Sequence, residues 1–200
     1  MKQLVLASGN AGKLRELSAL LDDLGYRLRP QSEFDVEEAE ETGTTFVENA
    51  IIKARHAANL TGLPSLADDS GIEVDVLDGA PGVYSARFAG IPSNDDANNA
   101  LLVEKLRSVP TDQRSARYRA VIVFMRHAKD PSPLICEGSW EGMIQLEASG
   151  NGGFGYDPFF YLPELGCSSA ELSADEKNRI SHRGKALEIL KQKLSRLTDV

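Results

Sequence analysis

A change of hydrophobic period within the first two dozen residues constrains the fold more than any other feature of this chain. Residues 3–7 form an apolar run of strand length, Ser8-Gly9-Asn10-Ala11-Gly12-Lys13 interrupts it with small residues, and Leu14, Leu17, Leu21 and Leu24 then recur at helical spacing. Strand, loop and helix in that order open an α/β fold. A loop of small residues entering a helix leaves backbone N–H groups unpaired at the positive end of the helix dipole, and Lys13 adds a full charge there. Such a loop suits a phosphate, although a plain strand-to-helix turn with a solvated lysine accounts for the residues about equally well. It is not a Walker A loop, because the first glycine of that pattern would fall at Ala7 and its Ser/Thr at Leu14.

The acid run Glu37-Glu38-Ala39-Glu40-Glu41 follows, of the kind that usually forms a solvated face. Thr45 and Glu48 stand at capping-box spacing, which predicts a helix from there to about residue 60, with Val47, Ile51, Ala54 and Ala58 on its apolar stripe. Asn49, Lys53 and His56 share another face, and Lys53 is available to the same loop-rich end as the acid run. In Leu66-Ala67-Asp68-Asp69-Ser70-Gly71 an apolar run ends in two adjacent carboxylates, a hydroxyl and a glycine. On a strand Asp68 and Asp69 diverge to opposite faces, so both can serve one site only if the chain turns, which Gly71 permits. Taken alone, Asp-Asp-Ser-Gly is more often an ordinary turn than a catalytic centre.

Ile72, Val74 and Val76 then alternate with Glu73 and Asp75, as a strand with one wet face would. In the following Gly/Pro loop Arg87 stands beside Phe88 and reads as a structural salt bridge rather than a phosphate contact. Residues 95–106 read as a helix and 117–125 as a strand, whose continuous Val121-Ile122-Val123-Phe124 suits a central position. Residues 134–137 and about 140–146 read as extended pieces of an antiparallel ribbon. In Gly150-Asn151-Gly152-Gly153-Phe154-Gly155-Tyr156-Asp157-Pro158 the glycines strip the loop of side chains, Phe154 and Tyr156 supply ring faces, and Asp157 supplies an acceptor. A nucleobase could stack there and be read at its edge. Ser173 and Glu176 form a second capping box, which predicts one last helix to about residue 197 with Lys177, Ser181, His182 and Arg183 in its first turns.

Composition narrows the partners. Thirty acidic against twenty-two basic residues leave a net charge of −8, which opposes attraction to a nucleic acid polymer but not to a small anion met by locally gathered cations. Cys136 and Cys167 are far apart and share no zinc-ligand spacing with His56, His127 or His182, so a reducing compartment is expected. The first apolar run is too short for a signal segment, and no stretch approaches a membrane span. One soluble, cytoplasmic domain over residues 1–200 is the expectation.

Four separated motifs occur in order: Ser8-Gly9-Asn10-Ala11-Gly12-Lys13, Ala67-Asp68-Asp69-Ser70-Gly71, Gly153-Phe154-Gly155-Tyr156-Asp157-Pro158 and Ser181-His182-Arg183. Together they resemble the inosine triphosphate pyrophosphatase (RdgB/HAM1-like) family in its bacterial form, over essentially the whole chain. The Glu-Glu-Thr-Gly segment and the Gly-Ala-Pro-Gly-Val-Tyr-Ser-Ala-Arg loop are included. Ser8 stands where the family commonly has Thr, which keeps the hydroxyl. The resemblance implies an elongated, two-lobed α/β molecule with a long twisted mixed sheet flanked by helices and an active site in the cleft between lobes. It implies a Mg²⁺-dependent homodimer that hydrolyses ITP, dITP and XTP to the monophosphate and pyrophosphate, clearing deaminated purines from the nucleotide pool. By the same resemblance Asp69 matches the general base and a metal ligand and Glu41 (or the adjacent Glu40) a carboxylate associated with the metal, while the physical reading adds Asp68 as a carboxylate that holds Mg²⁺ directly or through water. Ser8, Gly9, Asn10, Ala11, Gly12, Lys13 and Ser70 match substrate contacts. So do Phe154, Gly155, Tyr156, Asp157, Lys177, His182 and Arg183, toward the base and nucleotide. The physical reading agrees in needing cations over a triphosphate, for which Lys13 and Lys53 are the suppliers. Donors from His182, Arg183 or loop N–H groups would favour a purine 6-oxo group over adenine's 6-amino group. The alternatives are a Maf-like pyrophosphatase acting on modified pyrimidines or 7-methyl-GTP, and a regulatory protein that binds a triphosphate without turnover.

Overall fold

A computed structural model describes residues 2–8, 11–22 and 24–198. Its strands are β1 (Lys2–Leu6), β2 (Tyr26–Pro30), β3 (Ser65–Val74), β4 (Ser115–Met125), β5 (Leu134–Ile144), β6 (Phe160–Leu162) and β7 (Cys167–Ser168). Its helices are α1 (Ala11–Asp22), α2 (Phe46–Thr61), α3 (Asp95–Leu106), α4 (Ala174–Ile180) and α5 (His182–Thr198). The chain is thus of the mixed α/β class, with a seven-stranded sheet in the order β2-β1-β3-β4-β5-β6-β7. β1 runs parallel to β2 and β3, whereas β5-β6 and β6-β7 are antiparallel. Among the described residues no helix is long and apolar enough to cross a membrane.

The chain divides into two compact units, and β3, β4 and β5 contribute residues to both. The first unit comprises residues 1–69, 120–137 and 185–200. Its core gathers Leu4 and Leu6 of β1, Leu17 and Leu21 of α1, Leu66 of β3, Ile122 of β4 and Leu190 and Leu194 of α5, the apolar stripes that the sequence periodicity predicts. The second unit comprises residues 70–119 and 138–184. Its core gathers Ile72 and Val74 of β3, Leu102 and Leu106 of α3, Tyr118, Trp140, Tyr156 and Phe160.

Local chemistry explains the boundaries. Thr45 caps α2 by accepting from the Glu48 N–H at 3.3 Å while the Glu48 carboxylate accepts from the Thr45 N–H at 3.0 Å, the reciprocal box expected from the spacing. The same reciprocal pair of Ser173 and Glu176 opens α4. Three expectations need correction. β3 does not turn at Gly71 but runs unbroken from Ser65 to Val74, because the apolar side chains on both sides of the carboxylates, Leu66 and Ala67 before them and Ile72 and Val74 after them, are fully buried. The wet-faced strand stops at Val74, and residues 75–77 form a 3-10 turn. The last helix is two helices: Ser181 is extended at φ −69° and ψ 165°, its N–H closes α4 on the Lys177 carbonyl, and its hydroxyl accepts from the Gly184 N–H to start α5.

Candidate functional site

In the first unit the unbroken β3 sends its two adjacent carboxylates to different lysines, as the alternation of a strand requires. Asp68 accepts from the Lys13 ammonium, which stands in the first turn of α1. Asp69 accepts from Lys53 Nζ at 2.6 Å, and the same ammonium donates to Glu41 Oε1 at 2.9 Å. Glu40, by contrast, is exposed. Asn49, one helical turn before Lys53 and fully buried, accepts from the Gly43 N–H at 2.8 Å and so ties the acid segment to α2. His56, on the same helix, meets the Glu37 carbonyl instead. Gly9 and Asn10 lie outside the described residues, as do any features of Ala11 and Gly12 beyond their place in the α1 backbone. Ser8 follows β1 and is half-buried.

The charges are unequal. Burial pushes the Asp69 carboxyl above the ordinary aspartate value; Lys53 opposes this, and the neighbouring Glu41 and Asp68 carboxylates add to it. Burial works against the Lys53 charge too, but Asp69 and Glu41 outweigh it and hold the ammonium above the ordinary lysine value. Lys53 has two carboxylates to stabilise it, whereas Asp69 has one lysine and two like charges. Both directions therefore hold at once.

Among the described residues no three His, Cys, Asp or Glu side chains already converge into a cage for a metal ion. The donor set nevertheless fits Mg²⁺. Glu41 and Asp69 offer only hard carboxylate oxygens, the repulsion of Glu41 and Asp68 is felt at Asp69, and the Lys53 ammonium shows that a cation is accepted between Glu41 and Asp69, whereas Asp68 faces Lys13.

In the second unit Asp157 is the hub. It is 2% exposed, and its carboxylate accepts from four donors: the Ser169 hydroxyl at 2.8 Å, the Tyr118 hydroxyl at 3.3 Å, the Phe154 N–H at 2.8 Å and the Lys177 ammonium. Gly153 packs so closely beneath it that a Cβ there would lie 2.0 Å from Asp157 Oδ2. Phe154 is 65% exposed, with Lys177 Nζ 5.3 Å from its ring centre. Tyr156 corrects an expectation: its ring is buried and its hydroxyl donates to the Ser85 carbonyl at 2.7 Å, so it anchors the loop and presents no open face. Asp157, too, is saturated from within, not waiting as an acceptor for a base edge. His182 lies flat on Tyr118, with ring centres 4.8 Å apart and an interplanar angle of 11°, and Arg183 Nη2 is 3.4 Å from Ser70 Oγ. Burial, then the Asp157 charge, keep the Tyr118 hydroxyl protonated and able to donate. Arg87, in its own loop, stands over the Tyr84 ring at 5.2 Å.

Tyr118, Ser169, Asp95 and Asn99 were not among the expected site residues, yet they hold the loop. Single residues inside regular elements carry no local signal of this; only the tertiary pairing does.

The Ham1 family model matches residues 4–193. The chain is 61% identical over 194 residues to the dITP/XTP pyrophosphatase of Xanthomonas axonopodis pv. citri, covering 97% of this chain and 98% of that one. It is 58% identical to the dITP/XTP pyrophosphatase of Escherichia coli O157:H7, covering 95% and 96%. Among solved structures a HAM1 protein from Coxiella burnetii matches with a TM-score of 0.94 at 52% identity, over 98% of this chain and all of that one. With a match this long in both sequence and structure, the chain belongs to the Ham1 family.

Proposed function

We propose that this protein is a nucleoside-triphosphate pyrophosphatase that hydrolyses deaminated purine nucleotides (dITP, XTP and ITP) to the monophosphate and pyrophosphate. The dITP/XTP pyrophosphatase relatives at 55–61% identity over nearly their full length support the substrate class. The observation that carries the reading is the group Lys13, Asp68, Lys53, Asp69 and Glu41, two ammoniums held ready on three carboxylates.

Lys13 and Lys53 would bind the triphosphate by moving from the carboxylates to the phosphate oxygens. That exchange would free Glu41 and Asp69 to hold Mg²⁺, with Asp68, on the other face of the unturned strand, reaching it only through water. When bound, the ion would supply Lewis-acid stabilisation of charge on the phosphate oxygens. Asp69, whose basicity burial raises, would accept the proton of a water attacking the α-phosphorus. The new P–O bond forms as the bond to the β-phosphate oxygen breaks, and pyrophosphate leaves with the electron pair. In the second unit, Phe154 would stack on the purine, while Arg183 and His182 would donate to its 6-oxo group. Adenine would bring a donor to those donors. Both units would act as one catalytic domain of a cytoplasmic homodimer.

Pyrophosphate release with Mg²⁺ from dITP, XTP, ITP, dATP, dGTP, dUTP and 7-methyl-GTP tests this. The first three should exceed dATP in kcat/KM by at least a hundredfold, on the order expected when buried donors lose their partner. Equal rates on dITP and dATP, or a preference for dUTP or 7-methyl-GTP, would overturn it.

A further inference from the structure

We infer that Asp95 and Asn99, one turn apart at the start of α3, are positioning residues that set the base selectivity of the enzyme by clamping Gly155; this rests on the reading that the 154–157 loop holds the purine. Asp95 Oδ2 accepts from the Gly155 N–H at 2.8 Å, and Asn99 Nδ2 donates to the Gly155 carbonyl at 2.9 Å. The two side chains lie at i and i+4, on one face of the helix, so one rigid element holds both polar groups of a single residue.

Gly155 is where such a clamp acts best. Its φ of +62° is a left-handed conformation that reverses the chain between Phe154 and Tyr156. Tyr156 is already pinned through Ser85, and Asp157 is filled by its four donors. Phe154 is the exposed member of the loop, held by its own N–H on Asp157. The orientation of its ring is therefore set between Asp157 on one side and the Gly155 clamp on the other.

Asn99 serves this at a cost to the fold. It is 9% exposed, and its Oδ1 is buried without a hydrogen-bond partner among the described residues. A buried acceptor left unpaired destabilises a protein, and residues that carry one without stabilising the core are typically serving a site. Asn98 next to it shows the contrast: both ends of its amide are satisfied, by the Ala89 N–H at 2.7 Å and the Ala86 carbonyl at 3.1 Å.

The test compares Asn99→Leu, Asp95→Ala and Asp95→Asn with the parent protein and with Phe154→Ala, measuring kcat and KM for dITP, the dITP to dATP ratio of kcat/KM, and the melting temperature. Asn99→Leu and Asp95→Ala should each raise KM for dITP and lower the ratio about tenfold, the ~1.4 kcal/mol equivalent of one good hydrogen bond, with kcat within about twofold. Asn99→Leu should do so with a melting temperature within a few degrees of the parent. Asp95→Asn keeps an acceptor for the Gly155 N–H and should recover most of the loss. The inference is overturned if Phe154→Ala raises KM while both α3 variants keep the parent KM and ratio, or if kcat and melting temperature fall together with the ratio unchanged. If Phe154→Ala leaves KM unaltered, the base-site reading fails and the inference falls with it. Asp95 is exposed on the first helical turn, so its variants remain readable should Asn99→Leu not fold.

Discussion

The carboxylate group of the first unit and the loop of the second are held by opposite means. Lys13 and Lys53 reach Asp68, Asp69 and Glu41 through long side chains whose ammoniums can leave when better partners arrive. The loop around Asp157 keeps one such ammonium, Lys177, but is fixed mainly by backbone groups, buried hydroxyls and a left-handed glycine, which cannot leave without unfolding the loop. On the proposed function, a site that must trade its ion pairs for a triphosphate and a metal is built from mobile charges. A site that must tell one base from another is built rigid, because selectivity by unpaired donors requires that the donors not relax toward the wrong partner. The contrast predicts that changes in the first group act on turnover and phosphate affinity, and changes in the second on stability and selectivity.

The largest effect should come from Asp69→Asn, which keeps the shape of the side chain but cannot take a proton. Single-turnover rates on dITP should fall by about 10³-fold with KM little changed, and near-normal turnover would place the base elsewhere. Next is Asp157→Ala. It removes the acceptor of the part-buried Lys177 ammonium and of three other donors, and urea unfolding should show a loss of about 3 kcal/mol, the low end for a buried pair broken on one side. A loss much below 1 kcal/mol would mean that the loop is not rigid in the sense argued. Lys53→Met should raise KM for dITP about tenfold while leaving the dITP to dATP ratio untouched. A shifted ratio would join the two groups that the comparison separates.

The smallest effect lies outside both groups. The Arg126 guanidinium, at 2.5 Å and 2.9 Å, together with the Arg126 and Ser132 N–H groups, holds the buried Asp130 carboxyl well below the usual carboxylate range. A folded pKa below the unfolded one gives stability that is fully present above the unfolded value, about 3.9, and is lost as pH falls below it. Asp130→Asn should therefore cost about 1 kcal/mol at pH 7, a modest figure because Arg126 is half-exposed and screened, and the gap should narrow steadily as pH falls below about 3.9. Its kcat and selectivity should match the parent protein.

Sequence reading recovered what local rules govern. The opening strand and helix, the capping boxes of Thr45 with Glu48 and Ser173 with Glu176, and the helix over residues 95–106 follow from periodicity and hydrogen-bond chemistry confined to a few residues. Gly71 permits a turn locally, so the sequence leaves the path of the chain there open, whereas the buried residues on both sides that keep β3 straight act only in the folded chain. The break at Ser181 escaped for a related reason. Lys177 and Ile180 continue a helical pattern, and nothing short of the Ser181 backbone and its bond to Gly184 divides it. For the site, residue types singled out Lys53 and the Asp68-Asp69 pair, and the family resemblance added Glu41 and favoured Asp69, but the meeting of Glu41 and Asp69 on the Lys53 ammonium depends on α2 bringing that lysine to the middle of β3. Tyr156 looked like an open ring face because exposure is not written in a Gly-rich stretch.

The central claim is that water attacks the α-phosphorus of a deaminated purine triphosphate. Turnover of dITP in ¹⁸O-enriched water, followed by mass spectrometry of both products, tests it most directly. One ¹⁸O in the deoxyinosine monophosphate and none in the pyrophosphate is the predicted result. Label in the pyrophosphate, or release of orthophosphate in place of pyrophosphate, would contradict it.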